Sequence, residues 1–235
     1  MERNKPKSVI IAEDDIYLFG NKKETLSSSV YEQLIEKFIN NELAPGQILS
    51  RQQIADELNV SAAPVREALL MLEMDGYVET FPQRGTIVKA IREQDVFERL
   101  FIREALECTA ASYYTGKLIR ENKSELLDFA LKLDTSKKYT ILAYKRELIF
   151  HASLVNLAGF PLLTREFIRM FRIGRFQMLN TFTVPEVPDK KGHVELIGKL
   201  VASRAEYAGK ILQMHIWNGL RLKTRRFSGK LPKNE

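Results

Sequence analysis

Cysteine is nearly absent from this 235-residue sequence, which contains only Cys108. One cysteine excludes an intrachain disulfide, and its position in the run ALECTAAS favours a buried helix residue over a catalytic thiol. Long hydrophobic runs are also missing, so no segment has the length of a membrane-spanning helix, and no signal peptide is visible. We therefore expect a cytoplasmic protein without a membrane partner. Its 45% hydrophobic residues are enough for the cores of two domains.

Positive charge is scarce in the first part of the chain. Residues 1–92 contain 11 Lys and Arg against 14 Asp and Glu, a net charge of −3, whereas residues 93–235 carry +9. Nucleic-acid binding by the first part would therefore depend on a local basic patch and not on overall charge. The basic second part is suited to an anionic ligand.

Helix-capping signals between residues 49 and 88 predict a helix-turn-helix. Ser50 followed by Gln53 is a capping-box pattern that opens a helix over residues 51–58. Ser61 can cap a second helix directly after a short turn. Two short helices joined in this way place the second helix in a DNA groove.

Proline and glycine mark the limits of the second helix and the start of a wing. Pro64 is tolerated in the first turn, where its missing N–H has no partner to lose. Gly76 suits the left-handed residue that ends a helix. Strand patterns follow at residues 77–80 and 86–89 on either side of a turn. These signals predict a winged helix-turn-helix domain over residues 25–92.

Two arginines are the strongest candidates for DNA contacts. The first turn of the second helix meets base edges, and Arg66 is the one residue of that face able to donate hydrogen bonds. Arg84 at the wing tip is placed for phosphate or the minor groove. The alternative is a winged helix that binds another protein, with Arg66 as a surface charge. The predicted DNA-contacting residues are Arg51, Gln52, Ser61, Ala62, Ala63, Arg66, Arg84 and Gly85.

A known protein family shares several short segments with this sequence, namely PGQILS, ADELNVS, PVREAL and the Arg-Gly pair of the wing. Over residues 31–88 the sequence resembles the N-terminal domain of GntR-family bacterial transcription regulators. The resemblance implies binding to double-stranded operator DNA. It departs at Gln52, Ala62 and Ala63, where the family usually has two arginines and a threonine. We therefore expect phosphate contacts to outnumber base contacts.

After the winged helix, strand patterns almost disappear and amphipathic helical patterns follow one another. The predicted helices span residues 94–115, 119–133, 138–157, 162–181, 191–203 and 205–226. We expect an antiparallel all-α bundle over residues 93–228, and hence a mainly α protein, with residues 229–235 as a tail. Residues 1–24 are predicted to be an N-terminal extension or dimer arm, although the run SVIIAEDDIYLFG is also compatible with a strand packed on the winged helix.

All three histidines fall in the helical part, each on a different predicted helix. Glu147 precedes His151 by four residues, which places a carboxylate and an imidazole on one helix face. With His193 and His215 from two other helices, these side chains can converge on one metal inside a bundle. Three imidazoles and a carboxylate suit zinc, manganese, nickel or iron. Spacing alone favours the alternative, in which the histidines are caps or hydrogen-bonded core groups.

The helical part resembles the FCD effector domain of the FadR-type subfamily of GntR regulators. The resemblance lies in the segments EALECTAA, ELIFHASLVNLAG and GHVEL and in the final helix, which bears His215. The resemblance implies four ligands to a divalent transition metal (zinc, manganese or nickel): Glu147, His151, His193 and His215. Glu147 is a departure, because that domain has an aspartate at this position. The extra methylene shifts the carboxylate by about one carbon–carbon bond, which alters ligand geometry.

An anionic effector needs cations beside the metal. The resemblance places Arg103 at the ligand-binding arginine of the FCD domain, and a guanidinium can bind a carboxylate through two hydrogen bonds. Arg172 is a second candidate. It shares a predicted helix with Arg169 and Arg175, and at this spacing the three can equally form a solvent-exposed stripe.

Together these features predict a homodimeric transcription regulator, a repressor of a metabolic operon, that binds operator DNA and a small carboxylate metabolite. Two alternatives stay open at the level of the sequence. One is a regulator with a metal-free effector pocket, and the other is a metal-dependent hydrolase or lyase with Glu147 as base. The winged helix argues against an enzyme.

Overall fold

The computed structural model describes residues 8–16, 25–135, 141–181 and 192–223. Within these ranges the chain is mainly helical with one small antiparallel sheet, which confirms the predicted fold class. The helices are α1 (Leu26–Ile39), α2 (Arg51–Leu58), α3 (Ala62–Asp75), α4 (Glu93–Tyr114), α5 (Lys117–Glu121), α6 (Lys123–Asp134), α7 (Ile141–Asn156), α8 (Pro161–Thr181), α9 (His193–Ala202) and α10 (Ala205–Lys223). The strands are β1 (Ile48–Leu49), β2 (Val78–Phe81) and β3 (Gly85–Val88).

Helices α2 and α3 form the helix-turn-helix, and local caps set their ends. The Ser50 hydroxyl accepts a hydrogen bond from the Gln53 N–H at 3.3 Å, which confirms the predicted start of α2. Asn59 ends α2 with φ 52°, and Gly76 ends α3 with φ 85°, both in the left-handed region. Ser61 stands at the predicted start of α3, but its side chain makes no capping hydrogen bond.

The wing is a hairpin of β2 and β3, with Val78 opposite Val88 and Phe81 opposite Gly85. Its strands are each displaced by one residue from the predicted ranges. A third strand, β1, pairs with the outer edge of β3 and was not predicted, because two residues are too few to show an alternating pattern.

Three aromatic rings join the winged helix to the helical domain. Phe38 of α1 lies with its ring centroid 4.9 Å from that of Tyr77, which follows α3, and 4.9 Å from that of Phe176 in α8. All three rings are buried. We call Phe38, Tyr77 and Phe176 the aromatic joint. A side chain of the helical domain therefore completes the core of the winged helix.

Helix α4 is central to the helical domain and packs against α7, α8 and α10, while α6 packs against α9. The predicted helix 119–133 is in fact two helices, divided at Asn122. The other predicted helices agree with the structure to within a few residues. The predicted residues 138–140 and 224–226 and the tail lie outside the described ranges. Among the described residues no helix is both long and apolar enough to cross a membrane.

Residues 8–16 lie against the helical domain. The Ile11 N–H donates to the Ser153 hydroxyl at 3.0 Å, and the Val9 N–H donates to a Glu125 carboxylate oxygen at 3.1 Å. This segment contains a short 3-10 turn and no strand. The strand interpretation is therefore wrong for these residues, because side chains of two helices accept the hydrogen bonds that a sheet partner would take. The remainder of the predicted extension lies outside the described residues.

Candidate functional site

The three histidines meet inside the helical domain although they come from three different helices, α7, α9 and α10. One ring nitrogen from each of His151, His193 and His215 lies within 4.8 Å of those of the other two. Their ring centroids are 4.9–5.6 Å apart. His151 and His193 are fully buried and His215 is half-buried. We call these residues the histidine cluster.

Two carboxylates orient the rings of the histidine cluster. His151 Nδ1 lies 2.7 Å from Glu107 of α4, and His193 Nδ1 lies 2.8 Å from Asp134 at the end of α6. An ionised carboxylate only accepts hydrogen bonds, so each contact requires a proton on Nδ1. A neutral imidazole held in this way has its lone pair on Nε2, which is the form that binds a metal.

The Nε2 atoms of His151 and His193 are buried and have no hydrogen-bond partner among the described residues. A buried polar atom left unpaired costs about 1–3 kcal/mol, so such atoms usually have a partner. A divalent transition metal at the histidine cluster would supply one. The donor set of three imidazoles fits zinc, manganese or nickel.

Electrostatics keep both partners of the His151–Glu107 pair in the form that this site needs. Burial acts to raise the pKa of Glu107, but Arg103 and His151 outweigh it and hold that pKa at about 2. Burial also lowers the pKa of His151 from its ordinary value, and it lowers the pKa of His215 well below it. The carboxylate is therefore ionised and the two imidazoles are neutral near pH 7.

Asp134 joins the end of α6 to the start of α9. Its carboxylate accepts hydrogen bonds from the backbone N–H groups of His193 at 3.2 Å and Val194 at 2.9 Å. Burial opposes ionisation, but these bonds and the His193 ring lower the pKa of Asp134. The negative charge also suits the positive end of the α9 dipole. One side chain thus fixes both the backbone and the ring of His193.

Neither Glu107 nor Asp134 was predicted as part of the site. The nearest sequence signal is for Glu107, a carboxylate within the otherwise small and apolar run ALECTAA, four residues after Arg103. Its Oε1 accepts a hydrogen bond from Arg103 Nε at 2.5 Å. Asp134 lies between the predicted helices 119–133 and 138–157 and carries no local signal of its own. Both residues act through contacts distant in sequence, which a local pattern does not reveal.

Glu147 is buried one helical turn before His151, as its spacing predicts. It is not part of the group whose ligand atoms converge, which contains the three histidines alone among the described residues. Metal binding by Glu147 therefore stays a prediction.

The two predicted effector arginines occupy different places. Arg103 lies beside the histidine cluster through Glu107, and its guanidinium carbon is 4.7 Å from the centre of the Phe171 ring. Arg172 is buried and pairs with Glu32 of α1, so it links the helical domain to the winged helix. Effector binding by either residue stays a prediction, and the side chain of Arg175 lies outside the described residues.

The predicted DNA-contacting residues lie on the exposed side of the winged helix. Seven of the eight are exposed, and Gly85 in the wing turn is half-buried with φ 87°. Within the described part of the chain, the guanidinium groups of Arg51, Arg66 and Arg84 form no ion pair or hydrogen bond, while Gln52 donates to Asp56 at 2.8 Å. Exposed guanidinium groups without a protein partner are suited to phosphate contacts, and DNA contact by these residues stays a prediction.

Comparison with known proteins agrees with this arrangement. Residues 26–88 match the family model described as bacterial regulatory proteins, gntR family. Over these residues the chain is similar to that family. The matched residues run from the first residue of α1 to the last residue of β3.

Two relatives extend the GntR comparison. An uncharacterised HTH-type transcriptional regulator of Streptomyces ambofaciens is 30% identical over 130 residues, which is 55% of each chain. The HTH-type transcriptional repressor RspR of Escherichia coli K12 is 35% identical over 91 residues, covering 39% of this chain and 40% of RspR. The chain therefore spans about half or less of the length of these curated relatives.

Solved structures share the fold over a greater length. E. coli McbR/YncC matches with a TM-score of 0.66 at 20% identity, over 86% of this chain and 99% of its own. A GntR regulator from Rhodococcus sp. RHA1 matches with a TM-score of 0.62 at 22% identity, over 83% and 96%. The arrangement of a winged helix followed by a helical domain is thus found in other chains.

Proposed function

We propose that this protein is a DNA-binding transcription regulator of the FCD-containing FadR type, controlled by a small carboxylic acid at a metal site. The observation that carries the proposal is the histidine cluster, with two buried and unpaired Nε2 atoms, in a chain whose winged helix matches the gntR family model. Repression of a metabolic operon is the mode we favour, since RspR is named as a repressor.

DNA binding is assigned to the exposed face of α3 and the wing. Arg66 donates to a base edge or phosphate from the first turns of α3, and Arg84 donates from the wing tip. The methyl groups of Ala62 and Ala63 leave space or contact a thymine methyl. Since a GntR winged helix reads one half-site, we propose a homodimer on a pseudo-palindromic operator.

The histidine cluster holds the metal, with zinc, manganese or nickel as the candidates. His151 and His193 provide Nε2 while Glu107 and Asp134 keep the proton on Nδ1, and His215 completes the three imidazoles. Glu147 is retained as a fourth candidate ligand. When bound, a metal with an open coordination position supplies a Lewis-acidic partner for one carboxylate oxygen.

The chain itself supplies the orientation of the effector. Arg103 carries a guanidinium next to the histidine cluster and is itself held by Glu107 and the Phe171 ring. Such a fixed cation is suited to the second oxygen of a carboxylate. Ligand binding there acts on α4 and α7, both of which pack against α8, the helix that contributes Phe176 to the aromatic joint.

A shift of α8 would therefore move the winged helix with it. Coupling between effector and DNA of about 1–3 kcal/mol is typical of such switches. The GntR match and the relatives, which are named as transcriptional regulators, favour this function over a metal-dependent hydrolase or lyase.

The decisive experiment is the metal content of untagged protein purified without chelator. We expect about one metal per chain in the wild type and in Glu195→Gln, an exposed position on α9, and loss of the metal in His193→Ala. Operator titration with small carboxylic acids should then weaken DNA binding of the metal-loaded protein only. No metal in any variant after incubation with zinc, manganese or nickel would contradict the proposal and favour a metal-free effector pocket.

A further inference from the structure

A cavity of 330 Å³ lies between the winged helix and the helical domain. None of the residues that line it belongs to the histidine cluster. Its walls are the end of α3, the linker between β3 and α4, and facing sides of α4 and α8. Because both domains line it, a molecule bound there contacts both. We call this space the joint cavity.

Two arginines of the joint cavity make weak or long contacts in place of the short ion pairs that a guanidinium usually forms. Arg99 of α4 is half-buried, and its one hydrogen bond among the described residues is to the Met170 sulfur at 3.1 Å. A thioether is a weak acceptor, so most of the donors of Arg99 are left over. The buried Nε of Arg169 has no hydrogen-bond partner in the same part of the chain.

The carboxylates around the cavity make no short hydrogen bond to Arg99 or Arg169 among the described residues. Each of them accepts a hydrogen bond from another residue: Asp75 from Tyr31, Asp95 from Arg92, and Glu98 from Gln94. Arg169 lies 3.5 Å from Asp75 and from Glu166, which is long for an ion pair with good geometry. Burial, together with the nearby Arg169, lowers the pKa of Arg99, while Tyr77, Asp75 and Asp95 act in the opposite direction.

The joint cavity also contains a buried acceptor without a partner. The Oε1 atom of Gln177 on α8 makes no hydrogen bond among the described residues. A ligand that satisfies the cavity therefore has acceptor oxygens for two guanidinium groups and a donor for one amide oxygen. A small oxyanion that also carries a hydroxyl or amine has this chemistry, and its size is compatible with the volume.

A structural role for Arg99 is the main alternative. Gly76 ends α3, and a Cβ built on it would lie 3.3 Å from Arg99 Nη2, so the guanidinium is close to the negative end of the α3 dipole. That role would require Arg99 to bond to the last carbonyl groups of α3, and no such bond is present in the described residues. The N–H groups of Arg99 are therefore not used to cap α3 and can donate to a ligand.

We propose that the joint cavity is a second effector site, which binds a carboxylate or phosphate group between Arg99 and Arg169. The ligand donates to Gln177 and contacts both domains at once. This site is independent of the metal, so its occupancy acts on the winged helix without passing through the histidine cluster. Ligand bound there fixes the angle between the two domains, and thereby the spacing of the two DNA-binding surfaces in a dimer.

Isothermal titration calorimetry of the full chain tests the proposal, with inorganic phosphate and malate as probes, since each carries a hydroxyl donor. We expect saturable binding of at least one probe to the wild type and to His193→Ala, in which the metal site is removed. Phosphate alone would identify a phosphorylated ligand, and malate alone an organic acid. Absence of saturable binding by both probes would overturn the proposal.

Matched arginine variants assign the binding to this cavity. Arg99→Gln and Arg169→Gln should each weaken binding by about tenfold or more, because each removes charge-assisted hydrogen bonds. Arg165→Gln, at an exposed position of the same helix α8, should bind as the wild type does. Wild-type affinity in all three variants, or the same reduction of affinity in all three, would contradict the assignment of binding to this cavity. Circular dichroism checks the fold, and Arg169, at 39% side-chain exposure, provides a variant that is expected to fold even if Arg99→Gln does not.

Discussion

Arg172 of α8 binds both carboxylate oxygens of Glu32 on α1, with Nη1 3.1 Å from Oε1. The side chain of Arg172 is 4% exposed and that of Glu32 is 16% exposed. This ion pair, close to the aromatic joint, ties the helical domain to the winged helix. Sequence spacing had placed Arg172 among candidate effector contacts, yet its guanidinium is engaged by the other domain.

Breaking this pair from one side should be costly. We expect Arg172→Met to destabilise the protein by about 3 kcal/mol, because a buried Glu32 charge is left unpaired. The double variant Arg172→Met/Glu32→Met should recover most of the loss. Urea unfolding measures both values. Lys199→Gln, which removes an exposed pair with Glu195, is the control and should change stability by less than about 0.5 kcal/mol. Equal destabilisation by the single and double variants would contradict this account.

The carboxylates behind the histidines should affect metal binding without touching the metal. Glu107→Gln and Asp134→Asn are each expected to lower metal affinity by about 10–100-fold, since the ring orientation and the Nδ1 proton are then less fixed. Competition with a chromogenic chelator gives the affinities. Asp128→Asn, an exposed position on the same helix as Asp134, should bind metal like the wild type. Unchanged affinity in both test variants would show that the pairing serves only the fold.

Metal should stabilise the protein by an amount that grows with the logarithm of the free metal concentration. If free metal exceeds the dissociation constant 100-fold, the expected gain in unfolding free energy is about 2.7 kcal/mol. Differential scanning calorimetry before and after chelation measures this gain as a rise in Tm. His215→Ala should show little or no rise. A rise of equal size in that variant would place the metal somewhere other than the histidine cluster.

The DNA contacts should separate into specific and electrostatic ones. We expect Arg66→Ala to lose about 1–3 kcal/mol of operator affinity and to relax the preference at one base pair. Arg84→Ala should weaken binding to all sequences alike and reduce the slope of log affinity against log salt by about 1. Arg120→Ala, exposed on α5, is the control. Operator binding that is unaffected by both Arg66→Ala and Arg84→Ala would argue for a winged helix with a protein partner.

Local signals made the winged helix predictable. A capping serine, a glycine in the left-handed region and a tight turn each act within a few residues, and Ser50, Gly76 and the wing turn all occupy their predicted places. Asn122 shows the limit of such signals. The hydrophobic periodicity predicts one continuous helix over residues 119–133, but the chain breaks at this single polar residue into α5 and α6. The helical period also gave no means to tell which side of α8 faces solvent and which faces another domain.

The candidate site was predictable in part. The resemblance to FCD domains gave the three histidines, but their orientation depends on Glu107, 44 residues before His151, and on Asp134, 59 residues before His193. Pairs of this separation are set by how helices pack, which the spacing of residues along the chain does not contain. The weak contacts of Arg99 and Arg169 could not be predicted for the same reason.

The aromatic joint makes the core of the winged helix depend on the helical domain. Phe176 of α8 packs against both Phe38 and Tyr77. Without α8, the faces of these two rings would be exposed. A chimera that joins this winged helix to a different helical domain would need an aromatic ring of similar size at the place of Phe176.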